Sequence, residues 1–334
     1  MTCDDHSLPR ARIAALDVLR GFTLCEILLA NIQLIGARGS AVETQPLGDW
    51  DPWLGLPVFS LLFGVGFSLL LDSAVGRVSR PWLVLLRRLA ALFAIGAVHT
   101  LLWPGEILTR YALVGVVVLL PSIWLPRWAV PVLSALFLAV AVAGGGGLLL
   151  IAGLFLLGSA LVRYGVVEKI DTSVRGPLLT GLVLAVGAAA TAWVGAGAGA
   201  EAGQPTPTST LADLLVAGMY VCFLLVVLRT PLRRALQVVF APLGRIALTN
   251  YLTATLLVLA GSHLLGLQIA QSSSVAFLVT GCILVAQWVF ATVWLRHYLQ
   301  GPVEWVWRWA TWMRRPPLRR STDGRGMESL GVNR

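Results

Sequence analysis

A histidine and a glutamate stand on either side of a tight turn in this chain. His99 precedes the run TLLWPGEI, in which Trp103, Pro104 and Gly105 reverse the chain, and Glu106 follows at once, with Arg110 and Tyr111 one turn later. If two helices meet at this turn, Glu106 can approach the imidazole, set its tautomer and raise its basicity, which is the arrangement of a general base. A histidine hydrogen-bonded only for packing fits the same residues, and both readings stand. A second set lies near the N-terminus. Asp17, Arg20 and Asn31 fall within about 60° on a helical projection, and Asp17 can pair with Arg20 three residues on. Glu26 points roughly the other way. A salt bridge at a membrane interface would explain Asp17 and Arg20 as well as a site would. For Arg20 the residues favour a cationic site for a phosphate-bearing ligand, which Arg245 could join. Asn250 reads as glue between helices. No second histidine lies at ligand spacing from His99, so no metal site is expected. The chain has no phosphate loop, no nucleophile elbow and no HExxH motif.

These groups matter because of what surrounds them. Hydrophobic residues make up 57% of the 334 and charged residues 12%, with a mean hydropathy of +0.81. A soluble domain carries about 25% charged residues, so this chain lacks a polar shell and reads as an all-α polytopic membrane protein. Polar groups at membrane depth cost a few kcal/mol each, so each needs a partner or a task. Ten apolar runs are long enough to be read as spans: 13–36, 53–72, 82–102, 107–124, 127–143, 147–163, 176–196, 211–229, 241–263 and 274–296. Breaks at Pro121, at Pro126 and from Gly144 to Gly147 interrupt the middle three.

Charge distributes by connection. Arginine and lysine crowd the N-terminus (Arg10, Arg12), the even loops (Arg77, Arg80; Arg127; Arg163, Lys169, Arg175; Arg229, Arg233, Arg234) and the C-terminus. The odd loops carry Arg38 against Glu43, Asp49 and Asp51, then Glu106 and Glu201, or no charge at all. By the positive-inside rule, ten helices with both termini in the cytoplasm satisfy this alternation. The net charge of +9 is thereby absorbed, and nucleic-acid binding has nothing else behind it. Residues 1–312 read as one transmembrane domain. It closes with GPVEWVWRWATW at 301–312, an interfacial helix in which Glu304 and Arg308 lie one turn apart. Residues 313–334 read as a disordered basic cytoplasmic tail. Cys3, Cys25, Cys222 and Cys282 share no metal-ligand spacing.

RIAALDVLRGFTLCEILLANIQ at 12–33 resembles the opening helix of the YeiB-like family, also called domain of unknown function 418. Five further pieces match in order: FSLLFGVGFSLLL at 59–71, GAVHTLLWPGEILTRYA around His99 and Tyr111, FLLGSALVR at 155–163, PLGRIALTNYL at 242–252 and the closing motif at 301–312. The family is grouped with transmembrane acyltransferases, including the lysosomal heparan-α-glucosaminide N-acetyltransferase. The resemblance implies a helical bundle of the bacterial cytoplasmic membrane that takes an acyl group from cytosolic acyl-CoA and passes it to a hydroxyl or amine acceptor outside. It implies His99, Glu106 and Tyr111 as catalytic residues, with Tyr111 or Asn31 at the oxyanion. Arg20, Arg245 and Asp17 would hold the donor, with Arg87 and Arg88 as further candidates. Asn31, Glu26 and Asn250 would face the acceptor. Glutamate at 106 stands where the family has aspartate, and Glu26 where it has a small residue. Glu26 is open to two roles, contact with the acceptor or pairing with an arginine such as Arg88. The expected partners are the bilayer, acyl-CoA and an extracytoplasmic acceptor, without metal, and a homodimer is left open. A small-metabolite exporter and a regulatory protein without turnover are the other classes that fit polar groups at membrane depth.

Overall fold

The computed structural model describes residues 14–37, 55–103, 105–144, 146–170, 173–197, 206–264 and 273–319. The expected loops at 38–54, 198–205 and 265–272, the tail beyond 319 and the His263 side chain lie outside the described residues. Among those described, every regular element is a helix, and the one β-bridge joins Tyr298 to Arg319.

Each apolar run forms a helix with ends within a few residues of expectation, except one. The long helices are α1 (Ala14–Ala37), α2 (Gly55–Ala74) and α3 (Pro81–Thr100). Then follow α4 (Leu108–Ser122), α5 (Ala129–Ala143), α6 (Leu148–Arg163) and the short α7 (Val166–Lys169). Next come α8 (Arg175–Gly197) and α9 (Pro207–Val227). Proline opens α3 and α9 in the first turn, where its missing N–H costs nothing. A π-turn at Gly115–Leu119 precedes Pro121 within α4; slack of this kind accommodates a proline that cannot donate.

The exception is the run at 241–263. It is not one straight span. It belongs to two helices, α10 (Arg233–Arg245) and α11 (Ala247–Leu264), bent by 78° at Ile246. The basic stretch expected to be a loop at Arg233 and Arg234 is the first turn of α10. Then come α12 (Ser273–His297) and α13 (Pro302–Trp312). Residues beyond α13 turn back at Met313, whose φ is 52°. The Leu299 N–H donates to the Leu318 carbonyl and the Trp305 indole to the Pro316 carbonyl.

Five described helices, α2, α3, α8, α9 and α12, are long and apolar enough to cross a membrane, and the bent pair α10–α11 makes a sixth if counted as one span. The middle helices α4, α5 and α6 are shorter. Asp17, Arg20, Glu26 and Asn31 dilute the hydropathy of α1, although its 24 residues are long enough.

Close helix pairs are made where small residues let backbones touch. In α2 and α6, a Cβ on Gly64 would collide with the Phe155 carbonyl and one on Gly158 with the Leu61 carbonyl, while Ser68 donates to Ser159 at 2.8 Å. In α1 and α10, Gly21 lies on the Phe240 carbonyl and Gly244 on the Asp17 carbonyl. The main apolar core draws on α1, α2, α3, α4, α6, α10 and α11, and it closes around Tyr111 and Tyr251.

Candidate functional site

The α3–α4 hairpin is built by three local choices. The His99 carbonyl accepts from the N–H groups of Leu102 and Trp103, both at 3.0 Å, which ends α3. The Trp103 indole then lies against Gly105, where a Cβ would stand 2.6 Å from its nitrogen. Glu106 starts α4. Its carboxylate accepts from the Leu108 N–H, from the Thr109 N–H at 2.9 Å and from the Thr109 hydroxyl at 2.8 Å. These are orphan donors of a helix N-terminus, where negative charge is favoured. Gly96, one turn before His99, leaves the room: a Cβ there would lie 2.6 Å from Thr109 Oγ1 and 3.1 Å from Glu106 Oε2.

Glu106 therefore lies against α3 but does not make the expected hydrogen bond to His99. The imidazole is 3% exposed, and neither ring nitrogen has a hydrogen-bond partner among the described residues. Its neighbour is Tyr251 of α11, with ring centroids 5.4 Å apart. The Tyr251 hydroxyl lies next to the Asn31 side chain and the backbone of Ile107, the residue after Glu106. Tyr251 thus ties α1, α11 and the α3–α4 turn together beside the imidazole. Its type was legible in the GRIALTNYL run, but nothing local pointed to His99.

Tyr111 is placed differently from its expected oxyanion role. Its hydroxyl contacts Ser60 at 2.5 Å and donates to the Leu56 carbonyl at 3.3 Å. Its ring packs against Phe59, Phe63 and Phe155. It braces α4 on α2. Asn250 also serves the frame. Its amide donates to the Leu243 carbonyl at 3.2 Å across the α10–α11 bend, and its backbone carbonyl accepts from Gln287 at 2.7 Å. Gln287, buried in α12, was missed, although it is a polar group in an apolar run like the others. Glu26 is 8% exposed, its Oε1 has no hydrogen-bond partner, and it forms no ion pair with Arg88 or any other described residue.

Asp17 pairs with Arg20 as expected, at 3.5 Å. Arg245 ends α10 directly after Gly244, which rests on the Asp17 backbone. Of the two further arginines, Arg87 is exposed, while Arg88 turns under the Trp307 ring of α13, 3.7 Å from its centroid. Glu304 of α13 reaches the start of α11. Its carboxylate accepts from the Leu248 N–H at 2.7 Å, the Thr249 N–H at 3.0 Å and the Thr249 hydroxyl at 2.5 Å, capping α11. The arrangement repeats that of Glu106: each glutamate takes the amides of a Leu-Thr pair two residues before a tyrosine, Leu108-Thr109 with Tyr111 and Leu248-Thr249 with Tyr251.

Burial raises the Glu304 carboxyl above the usual range, against the pull of its hydrogen bonds. The folded protein therefore holds this proton to higher pH than the unfolded chain, and stability falls as pH rises from the ordinary glutamate range through the raised value. Glu304→Gln should flatten that slope. Glu304→Ala should cost about 1–3 kcal/mol by stranding two amides. Unfolding temperatures in detergent across pH check both.

Among the described residues, no three His, Cys, Asp or Glu side chains group to hold a metal ion. Residues 161–314 match the family described as protein of unknown function (DUF418). Three curated relatives align along nearly the whole chain. An "uncharacterized 39.9 kDa protein in amylase 3'region" of Bacillus acidopullulyticus is 29% identical, over 92% of this chain and 96% of its own. YxaH of Bacillus subtilis is 26% identical, over 95% and 98%, and YeiB of Escherichia coli is 29% identical, over 90% and 96%. No solved structure matches the chain.

Proposed function

The chain belongs to the YeiB-like DUF418 family, and from that premise we propose that it is an acyltransferase of the bacterial cytoplasmic membrane. It crosses the bilayer ten times, with both termini inside. It moves an acyl group from cytosolic acyl-CoA to a hydroxyl or amine on the outer side, carried by an envelope glycan, a lipid or a secreted metabolite.

The observation that carries this reading is His99. It is buried in a bundle whose other polar groups are largely committed, yet among the described residues both ring nitrogens are unspent. A buried polar group without a partner costs free energy that packing does not repay. An imidazole kept in that state is available to a substrate. In the reaction, His99 takes the proton of the acceptor hydroxyl or amine, and the freed lone pair attacks the thioester carbonyl. The carbon–sulfur bond then breaks, and the proton passes to the departing CoA thiolate. Tyr251, beside the imidazole, and Asn31, next to its hydroxyl, take the oxyanion role, while Tyr111 braces α4 on α2. Asp17, Arg20 and Arg245 gather at the donor end. Glu106 acts through the turn that it caps.

The test is acyl transfer by purified protein in liposomes, given radiolabelled acetyl-CoA and a panel of hydroxyl and amine acceptors. Labelled product together with free thiol supports the reading. The 78° break at Ile246 favours a second one, because transporters bind cargo at discontinuous helices. Uptake of a metabolite with no acyl-CoA present, and no thiol release with it, would replace transfer by transport.

A further inference from the structure

The bend between α10 and α11 carries two buried amide side chains that the proposed reaction does not use. Asn250, in the first turn of α11, is fully buried, and Gln287 of α12 is 4% exposed. The seam between α11 and α12 sets them side by side. Ile246, at the bend, packs on Ala291 and Leu295. One turn on, Asn250 meets Gln287, and one turn further Ala254 and Ile283 share an apolar cluster.

Hydrogen bonds fix how each amide is turned. Gln287 Nε2 donates to the Asn250 backbone carbonyl at 2.7 Å and to the Thr253 hydroxyl at 3.2 Å. Asn250 Nδ2 donates to the Leu243 carbonyl at 3.2 Å. A carbonyl can only accept, so neither amide can be flipped. Asn250 Oδ1 and Gln287 Oε1 are therefore acceptors, and neither receives a hydrogen bond among the described residues. Nearby donors are spent: the Thr253 hydroxyl proton goes to the Thr249 or Asn250 carbonyl, and the Asn250 N–H to the Ile246 carbonyl. Because α10 ends at Arg245, its last carbonyls point along its axis into the same break as further acceptors.

A set made only of acceptors selects its ligand. Buried amide oxygens without a partner cost free energy. A water can donate to both, but it finds no donor there for its own lone pairs. A cation has no lone pairs to satisfy and takes the oxygens directly. The negative end of the α10 dipole favours positive charge at this place, and half-helix C-termini inside membranes coordinate sodium in this way. The amide oxygens are neutral, and no group of three His, Cys, Asp or Glu side chains joins them among the described residues. Neutral oxygens suit a monovalent ion better than a divalent one.

We propose that Asn250 Oδ1 and Gln287 Oε1, with the end of α10, bind a monovalent alkali cation, and that this ion pins the bend. The bend aims α11, and with it Tyr251, at His99. The site does not rest on the acyltransferase reading and stands equally if the chain transports a metabolite.

The experiment uses the full chain in phosphatidylcholine nanodiscs. Binding of radiolabelled sodium is measured in competition with unlabelled sodium, potassium or choline, and unfolding temperatures are recorded in the three chloride salts at equal ionic strength. The expected result is saturable binding that sodium or potassium displaces and choline does not, with an unfolding temperature that rises as the site fills. Gln287→Met keeps the length of the side chain and removes the oxygen, so it should bind sodium about tenfold more weakly. Gln287→Glu keeps the oxygen, with its protonated partner oxygen donating to the Asn250 carbonyl, and should bind sodium as wild type does. Equal loss in both variants would mark Gln287 as a packing residue, and loss in neither would place the ion elsewhere; each overturns the proposal. Two outcomes need no variant to fold. Wild type without saturable sodium binding, or with one unfolding temperature in all three salts, overturns it as well.

Discussion

Replacing His99 with phenylalanine is expected to lower acyl transfer by about 10²–10⁴-fold, the usual contribution of a general base, while leaving the protein as stable as before or more so. The two halves of this expectation are linked. A histidine retained for packing is hydrogen-bonded, and removing it strands its partners at about 1–3 kcal/mol. His99 has no such partners among the described residues, where both ring nitrogens are buried without a hydrogen bond. Its ring contact with Tyr251 at 5.4 Å is one that phenylalanine can also make. Phenylalanine removes the cost of burying two polar atoms and keeps the aromatic contact. Turnover of labelled acyl-CoA and the unfolding temperature in detergent are measured on the same preparation. A variant that loses stability and activity in proportion would mark the imidazole as structural. Tyr251→Phe offers a graded companion. It removes the hydroxyl that faces Asn31 and Ile107 and leaves the ring in place, so it should slow transfer and cost about 1–3 kcal/mol of stability, in contrast to His99→Phe.

Why His99 was legible as a candidate and its surroundings were not follows from sequence distance. The Asp17–Arg20 pair is a three-residue relation on one helix, and it forms as read. The apolar runs become helices because lipid or a bundle core leaves no other way to satisfy the backbone. Glu106 has two local partners within reach. The imidazole lies seven residues earlier, but the open amides of Leu108 and Thr109 are two and three residues away and need no tertiary contact to be capped. The bend at Ile246 was beyond local reading. Hydropathy continues across it, and what stabilises it comes from far along the chain: Glu304 caps the new helix more than fifty residues later, and Asn250 folds back on Leu243. Tyr251 reaches His99 only because that bend aims α11. The return of α13 to α3 is made by Trp307 on Arg88, a contact that no periodicity announces.

Gly244→Ala is expected to be among the most damaging single methyls at the described glycines, and it acts on the contact from which that bend begins. Alanine normally stabilises a helix over glycine by about 0.5–1 kcal/mol. At position 244 the added carbon would collide with the Asp17 carbonyl and stand 2.7 Å from the Gly21 nitrogen. Both obstacles are backbone, so no rotamer change relieves them, and one whole helix must withdraw from the other. Overpacking that can be absorbed by side chains costs about 1–3 kcal/mol; this one should exceed that range. Gly281→Ala on α12 is the control. A Cβ there meets nothing within 4 Å, so its effect should be neutral or stabilising. The sign of the same chemical change thus reverses between two helices of one protein, and unfolding temperatures in detergent read it directly. The functional consequence follows the geometry. When α10 moves off α1, Arg245 is carried away from the Asp17–Arg20 turn, and Asn250 can no longer hold Leu243. Any Gly244→Ala protein that survives purification should therefore bind coenzyme A more weakly than wild type. If it instead matches Gly281→Ala in both stability and binding, the close contact of α1 with α10 does not organise the donor end.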